Sequence, residues 1–135
     1  MRFLSIFKAR ETNTPPTPEH MARMEKLIEE SMKAGTLLAT EGCLPSALGA
    51  RVRRSGDQIT VTDGPFLESK ELIGGFAILQ ASSRAQAVEL ARQFLEVAGD
   101  GECEIRQIFT ATEHGSCAPG EHHAELAEQF TASPR

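Results

Sequence analysis

The chain has 135 residues, 40% hydrophobic and 24% charged, which is the composition of one ordinary globular domain. Its 14 basic residues stand against 19 acidic ones, and the net charge of −5 with no Trp or Tyr argues against a nucleic-acid partner. No apolar run approaches the roughly 20 residues of a membrane-crossing helix, and no basic stretch followed by an apolar one marks a secretory leader.

Residues 2–8 read as an interior strand, with Phe3, Ser5 and Phe7 on one face and Leu4 and Ile6 on the other. A polar loop over 9–16 leads to Thr17, an expected N-cap, followed by Pro18 at the first helical position. The spacing of Met21, Met24, Leu27 and Ile28 predicts an amphipathic helix over 17–34, stopped by Gly35. A strand is expected over 36–40, then a loop from Glu41 to Ser46. Two short strands near 49–54 and 57–62 form a hairpin around Ser55-Gly56-Asp57. Asp63-Gly64-Pro65 is a hard turn, and residues 66–72 read as a charged connector with one helical turn. Residues 74–81 form a further strand. Ser83 and Gln86 make a capping-box pattern for a second helix over 83–98, whose inward face is read as Val88, Ala91, Phe94, Leu95 and Ala98. Gly99-Asp100-Gly101 ends it, and residues 104–110 complete the set of strands. The polar tail beyond residue 112 is expected to carry a short helix over 119–130.

Without the hairpin this order is βαβ-βαβ, an α+β fold of the ferredoxin-like kind over residues 1–112, followed by a tail over 113–135. Right-handed crossovers put both helices on one face of a four-stranded sheet. The strands are apolar on both faces, so the second face needs cover, and a second copy packed sheet to sheet is the expected answer: a homodimer. Cys43, Cys103 and Cys117 include no CxxC pair and predict reduced thiols in the cytoplasm.

The stretch Val61-Thr62-Asp63-Gly64-Pro65-Phe66-Leu67-Glu68-Ser69-Lys70-Glu71-Leu72-Ile73-Gly74-Gly75-Phe76 resembles the signature of the YCII-related family, DGPF branch, with Leu67 and Ser69 in place of the usual Ala and Thr. Glu41-Gly42, Leu44, Gly49–Arg51 and Glu104-Ile105-Arg106 extend the resemblance. It implies a dimeric α+β barrel of ferredoxin-like protomers. It also implies a His–Asp pair in a cleft as the centre of cofactor-free acid/base chemistry, as in a lyase or isomerase. Association with extracytoplasmic-function sigma factors, as a non-catalytic sensing or interaction module, is the alternative.

His20 lies at the margin of the first helix's apolar face, and Glu19-His20-Met21-Ala22-Arg23-Met24 resembles the helix that supplies the histidine in the YciI branch. Asp63 ends a strand before Gly64-Pro65, where its carboxylate is expected to orient His20 or to act as a base. Aspartate before glycine is equally a turn residue that accepts a backbone N–H. Arg51 and Lys70 are candidates for an anionic substrate group, with Glu41 and Glu71 lining the same cleft; surface ion pairing is the competing explanation for these charges. In the tail, His114, Cys117, His122 and His123 offer soft ligands without the paired spacing of a zinc site, so no metal and no cofactor is expected.

Overall fold

The fold is that of a computed structural model, which describes residues 1–110. The expected tail helix and the His114/Cys117/His122/His123 cluster lie outside the described residues. The elements are β1 (Arg2–Ala9), α1 (Pro18–Lys33), β2 (Leu37–Gly42), β3 (Ala50–Ser55), β4 (Gln58–Asp63), β5 (Leu72–Gln80), α2 (Arg84–Ala98) and β6 (Glu102–Gln107), with a single 3-10 turn at Ser46–Leu48. Four strands form one antiparallel sheet in the order β2-β5-β1-β6, and β3 and β4 form a separate hairpin.

The helix ends follow local chemistry. The Thr17 hydroxyl accepts from the His20 backbone N–H at 3.1 Å, with Pro18 opening the first turn. Gly35 leaves α1 at φ 75°, a conformation that costs glycine little. At α2 the Ser83 hydroxyl accepts from the Gln86 N–H at 3.1 Å. The returning bond is shifted by one residue, since the Gln86 side-chain oxygen accepts from Ser82 at 2.6 Å and 2.9 Å.

Register sorts the strand side chains into two faces. Phe3 faces Leu79, Ser5 faces Ala77 and Phe7 faces Gly75 across β1 and β5, while Ser5 faces Ile105 and Phe7 faces Cys103 across β1 and β6. On this side Phe3, Leu79, Ala81 and Ala87 form the buried core, joined by Leu37, Leu90 and Ile105. Phe7 meets Phe94 of α2 edge to face, with ring centres 5.2 Å apart. The opposite face carries Leu4, Ile6, Phe76 and Ile78, with Glu104 beside Ile6. Lys8 pairs with Glu104 at 3.2 Å and holds its carboxyl below the usual carboxylate range. Both helices lie on the core side, so among the described residues this second face has no helical cover.

Several boundaries differ from the sequence expectation. Glu41 and Gly42 belong to β2 rather than to a loop, because Gly75 opposite them has no side chain: a Cβ there would stand 2.7 Å from the Glu41 carbonyl oxygen. Leu72 belongs to β5, and the connector before it makes a single turn, in which the Ser69 N–H donates to the Phe66 carbonyl at 3.2 Å, and no helix. β6 starts at Glu102 and ends at Gln107, where its partner β1 runs out, and Phe109 is exposed. The inward face of α2 is rotated towards Ala87 and Leu90, leaving Val88 47% exposed. The small Ala87, fully buried, lets the helix approach Phe3 and Leu79 closely, whereas a valine has more bulk to place. α1 buries none of its residues completely, and Met21 is half exposed, because its apolar side lines a cleft instead of packing flat on the sheet.

Candidate functional site

That cleft lies between α1, α2 and the sheet and encloses about 400 Å³. Met24, Leu27 and Ile28 of α1 form one wall; Leu90 and Phe94 of α2 with Phe7, Ala77 and Leu79 of the sheet form the others. Glycines 42, 74 and 75 keep the floor low where β2 meets β5. The polar side chains come from Ser5, Ser31, Thr36, Thr40 and Gln93, and Glu41 borders the cleft with its backbone, since its side chain shares the opposite sheet face with Phe76. The dimensions are those of a site for a small organic molecule, apolar with a few polar groups that fix orientation. Cys103 on β6 borders the core behind Ser5, and burial pushes its thiol pKa up.

The turn signature builds a second, more open concavity of about 590 Å³, lined by Glu11, Cys43, Leu44, Ser46, Arg51, Phe66 and Ile73 among others. Its geometry is fixed by interlocking polar contacts. Glu11 accepts from the Ser46 backbone N–H at 2.5 Å and from the Ser46 hydroxyl at 2.8 Å. The same hydroxyl accepts from the Phe66 N–H at 3.3 Å, and the Gly64 N–H donates to the Gly49 carbonyl at 2.9 Å. The Gly64–Pro65 peptide is cis. Arg51 of β3 lies over the Phe66 ring, 3.9 Å from its centre, while its guanidinium donates to the Glu68 carboxylate and, at 3.1 Å, to the Ser69 hydroxyl. A bond from its own backbone N–H, and then Arg51, hold the Glu68 carboxyl below the usual range. Phe66, Glu68 and Ser69 of the signature therefore share one guanidinium.

The six residues singled out from the sequence do not all line one cavity. Glu41 borders the cleft with its backbone and turns its side chain to the opposite sheet face beside Phe76, and Arg51 lines the open concavity with its charge engaged by Glu68. His20 sits half-buried in the first turn of α1, and Asp63 is exposed at the end of β4, opposite Ala50; neither lines either cavity. Asp63 accepts no hydrogen bond from another described residue. Lys70 and Glu71 are exposed and form no ion pair with another described residue. Sequence reasoning missed the hydroxyls of Ser31, Thr36 and Thr40 and did not count Gln93 in the inward face of α2. Ser31 was legible, since it continues the spacing of Met24, Leu27 and Ile28. Gln93 was not, because the roll of α2 depends on what packs beneath it.

Among the described residues, no group of three or more His, Cys, Asp or Glu side chains is placed to hold a metal ion. No described helix is long and apolar enough to cross a membrane. The sequence profile of the YCII-related domain matches residues 1–112. The chain is also 31% identical over 89 residues to an uncharacterized protein of Rhizobium meliloti (strain 1021), a match covering 65% of this chain and 72% of that protein.

Proposed function

The chain belongs to the YCII-related domain family, and we propose that it binds a small, largely apolar organic molecule in the cleft between α1, α2 and the sheet. The observation that carries this reading is the stand-off of α1, whose apolar side chains face a cavity of about 400 Å³ instead of a packed core. A cavity that size with an apolar lining is costly unless filled, because its walls lose their contacts. Cofactor-free acid/base turnover, of the lyase or isomerase kind, is the catalytic form of this reading. In that form the His20–Asp63 pair serves a molecule that extends past the lining of the cleft.

Binding is testable with N-phenyl-1-naphthylamine, an uncharged probe that fluoresces in apolar surroundings. The chain has no Trp or Tyr, so intrinsic emission interferes little. Ser31→Phe places a ring inside the cleft and is expected to abolish the fluorescence rise while leaving the melting temperature within a few degrees. An undiminished rise in Ser31→Phe overturns the assignment of the cleft.

We propose further that two copies pair through the uncovered sheet face, giving the dimeric α+β barrel. The support is the row Leu4, Ile6, Phe76 and Ile78, apolar yet without helical cover, with Phe76 36% exposed. Such an interface is expected to bury more than about 1,000 Å² in total. Light scattering is expected to give twice the chain mass of 14.7 kDa. Ile6→Lys adds a charge in the middle of the row and is expected to return the protein to monomer. A wild-type monomer at micromolar concentration contradicts the proposal.

A further inference from the structure

The cleft offers a ligand hydrogen-bond acceptors without charge. The Thr36 hydroxyl donates to the Ser31 carbonyl at 3.2 Å, and the Thr40 hydroxyl donates to the Phe76 carbonyl at 3.0 Å. Thr40 shares the cleft face of the sheet with Ala77, its partner across β2 and β5. A carbonyl oxygen only accepts, so both threonine protons are committed and each hydroxyl oxygen keeps lone pairs for a ligand. A donor on the ligand is accepted without breaking a bond, whereas an acceptor on the ligand must first displace a carbonyl. Ser5 is buried and bonds to the Cys103 thiol. The Ser31 hydroxyl and the Gln93 amide each combine donor and acceptor, so they accommodate either kind of group.

Among the described residues no Lys, Arg, His or Asp lines this cavity, and Glu41 turns its carboxylate to the other face of the sheet. Arg51 and Lys70, the candidates for an anionic group, lie outside the lining. A charged end placed among Leu27, Ile28, Leu79 and Phe94 gives up water and gains no counter-charge, whatever its sign. An uncharged hydroxyl gives up less, and donating to Thr36 or Thr40 offsets the loss. We infer that the cleft takes an uncharged molecule with an apolar body and a hydrogen-bond donor at one end, an alcohol or phenol in chemical class, and discriminates against both the ammonium and the carboxylate of the same shape. This rests on the proposed role of the cleft as a binding site.

Four probes of similar shape test it on the full chain at neutral pH: 2-phenylethanol, its methyl ether, 2-phenylethylamine as the ammonium ion, and phenylacetate. Each is titrated while the backbone resonances of Ser31, Thr36 and Thr40 are followed. The alcohol is expected to bind tightest, and both ions at least about tenfold more weakly, because each is desolvated without a partner. The ether, which has no donor, is expected to bind about fivefold more weakly than the alcohol, the loss of one neutral hydrogen bond. Thr40→Val removes an acceptor with little change of shape. It is expected to weaken the alcohol about fivefold and to leave the ether within about twofold, a split that a merely structural role of Thr40 does not produce. The comparison among probes is made on the unaltered chain, so it stands whether or not the variant folds. Either ion binding as tightly as the alcohol overturns the inference, and so does an ether that matches the alcohol. Binding by none of the four, while the naphthylamine probe still enters the cleft, overturns it as well. The cleft itself falls as a site only if the naphthylamine probe also fails.

Discussion

Gly64→Ala is expected to destabilise the protein by about 3 kcal/mol, the upper part of the range for overpacking. A Cβ at this position overlaps the Ser46 carbonyl oxygen outright and crowds the Ala47 backbone nitrogen. The obstacle is backbone, so no rotamer change relieves it. Ser46 is in turn anchored to Glu11 through two hydrogen bonds and to the Phe66 N–H through a third. Moving it disturbs the connection that seats the β3–β4 hairpin, a two-stranded element that has little stability of its own. Gly35→Ala is the comparison. There φ is 75° and a Cβ meets nothing within 4 Å, so the cost is only that of a left-handed alanine, about 1 kcal/mol. Urea unfolding of the two variants measures the difference. A Gly64→Ala cost equal to or below that of Gly35→Ala means that the Ser46 contact does not restrain this turn.

Phe3→Ala is expected to cost about 3–5 kcal/mol, the range for deleting a buried ring and leaving a cavity. Phe3 is 2% exposed and is the largest fully buried side chain among the described residues. It sits among Leu79, Ala81 and Ala87, and two of those three are too small to collapse into the space. Val88→Ala, at a position 47% exposed on α2, is expected to cost under about 1 kcal/mol. The contrast separates the observed roll of α2 from the one read off the sequence, which turned Val88 inward. A Val88→Ala cost comparable to that of Phe3→Ala contradicts the observed packing.

The signature around Asp63 illustrates how a sequence motif acquires its meaning. Its aspartate and basic residues suggest chemistry, and read alone they are equally compatible with catalysis and with a turn. In the folded chain Phe66, Glu68 and Ser69 converge on Arg51 from across the hairpin, and Gly64 permits the Ser46 backbone to pass. Much of the motif is therefore accounted for by the architecture of one loop. Glu41, by contrast, was read as lining a cleft, yet its register with Phe76 turns its side chain to the sheet face away from the helices.

The sequence by itself determined the element order, the α+β class, the caps at Thr17 and Ser83 and the stops at Gly35 and Gly99, because each depends on bonds or dihedral freedom within a few residues. It also determined that β1 carries apolar side chains on both faces, since alternation along a strand fixes which side chains share a face. Only the tertiary structure decided which side of α2 is inward, how far α1 stands from the sheet, and that Arg51 is engaged by Glu68 rather than directed at the cleft. Those outcomes depend on distances between elements far apart in the chain. Such distances are set by the volumes that meet there, Ala87 against Phe3 and Gly75 against Glu41, and no local periodicity encodes them.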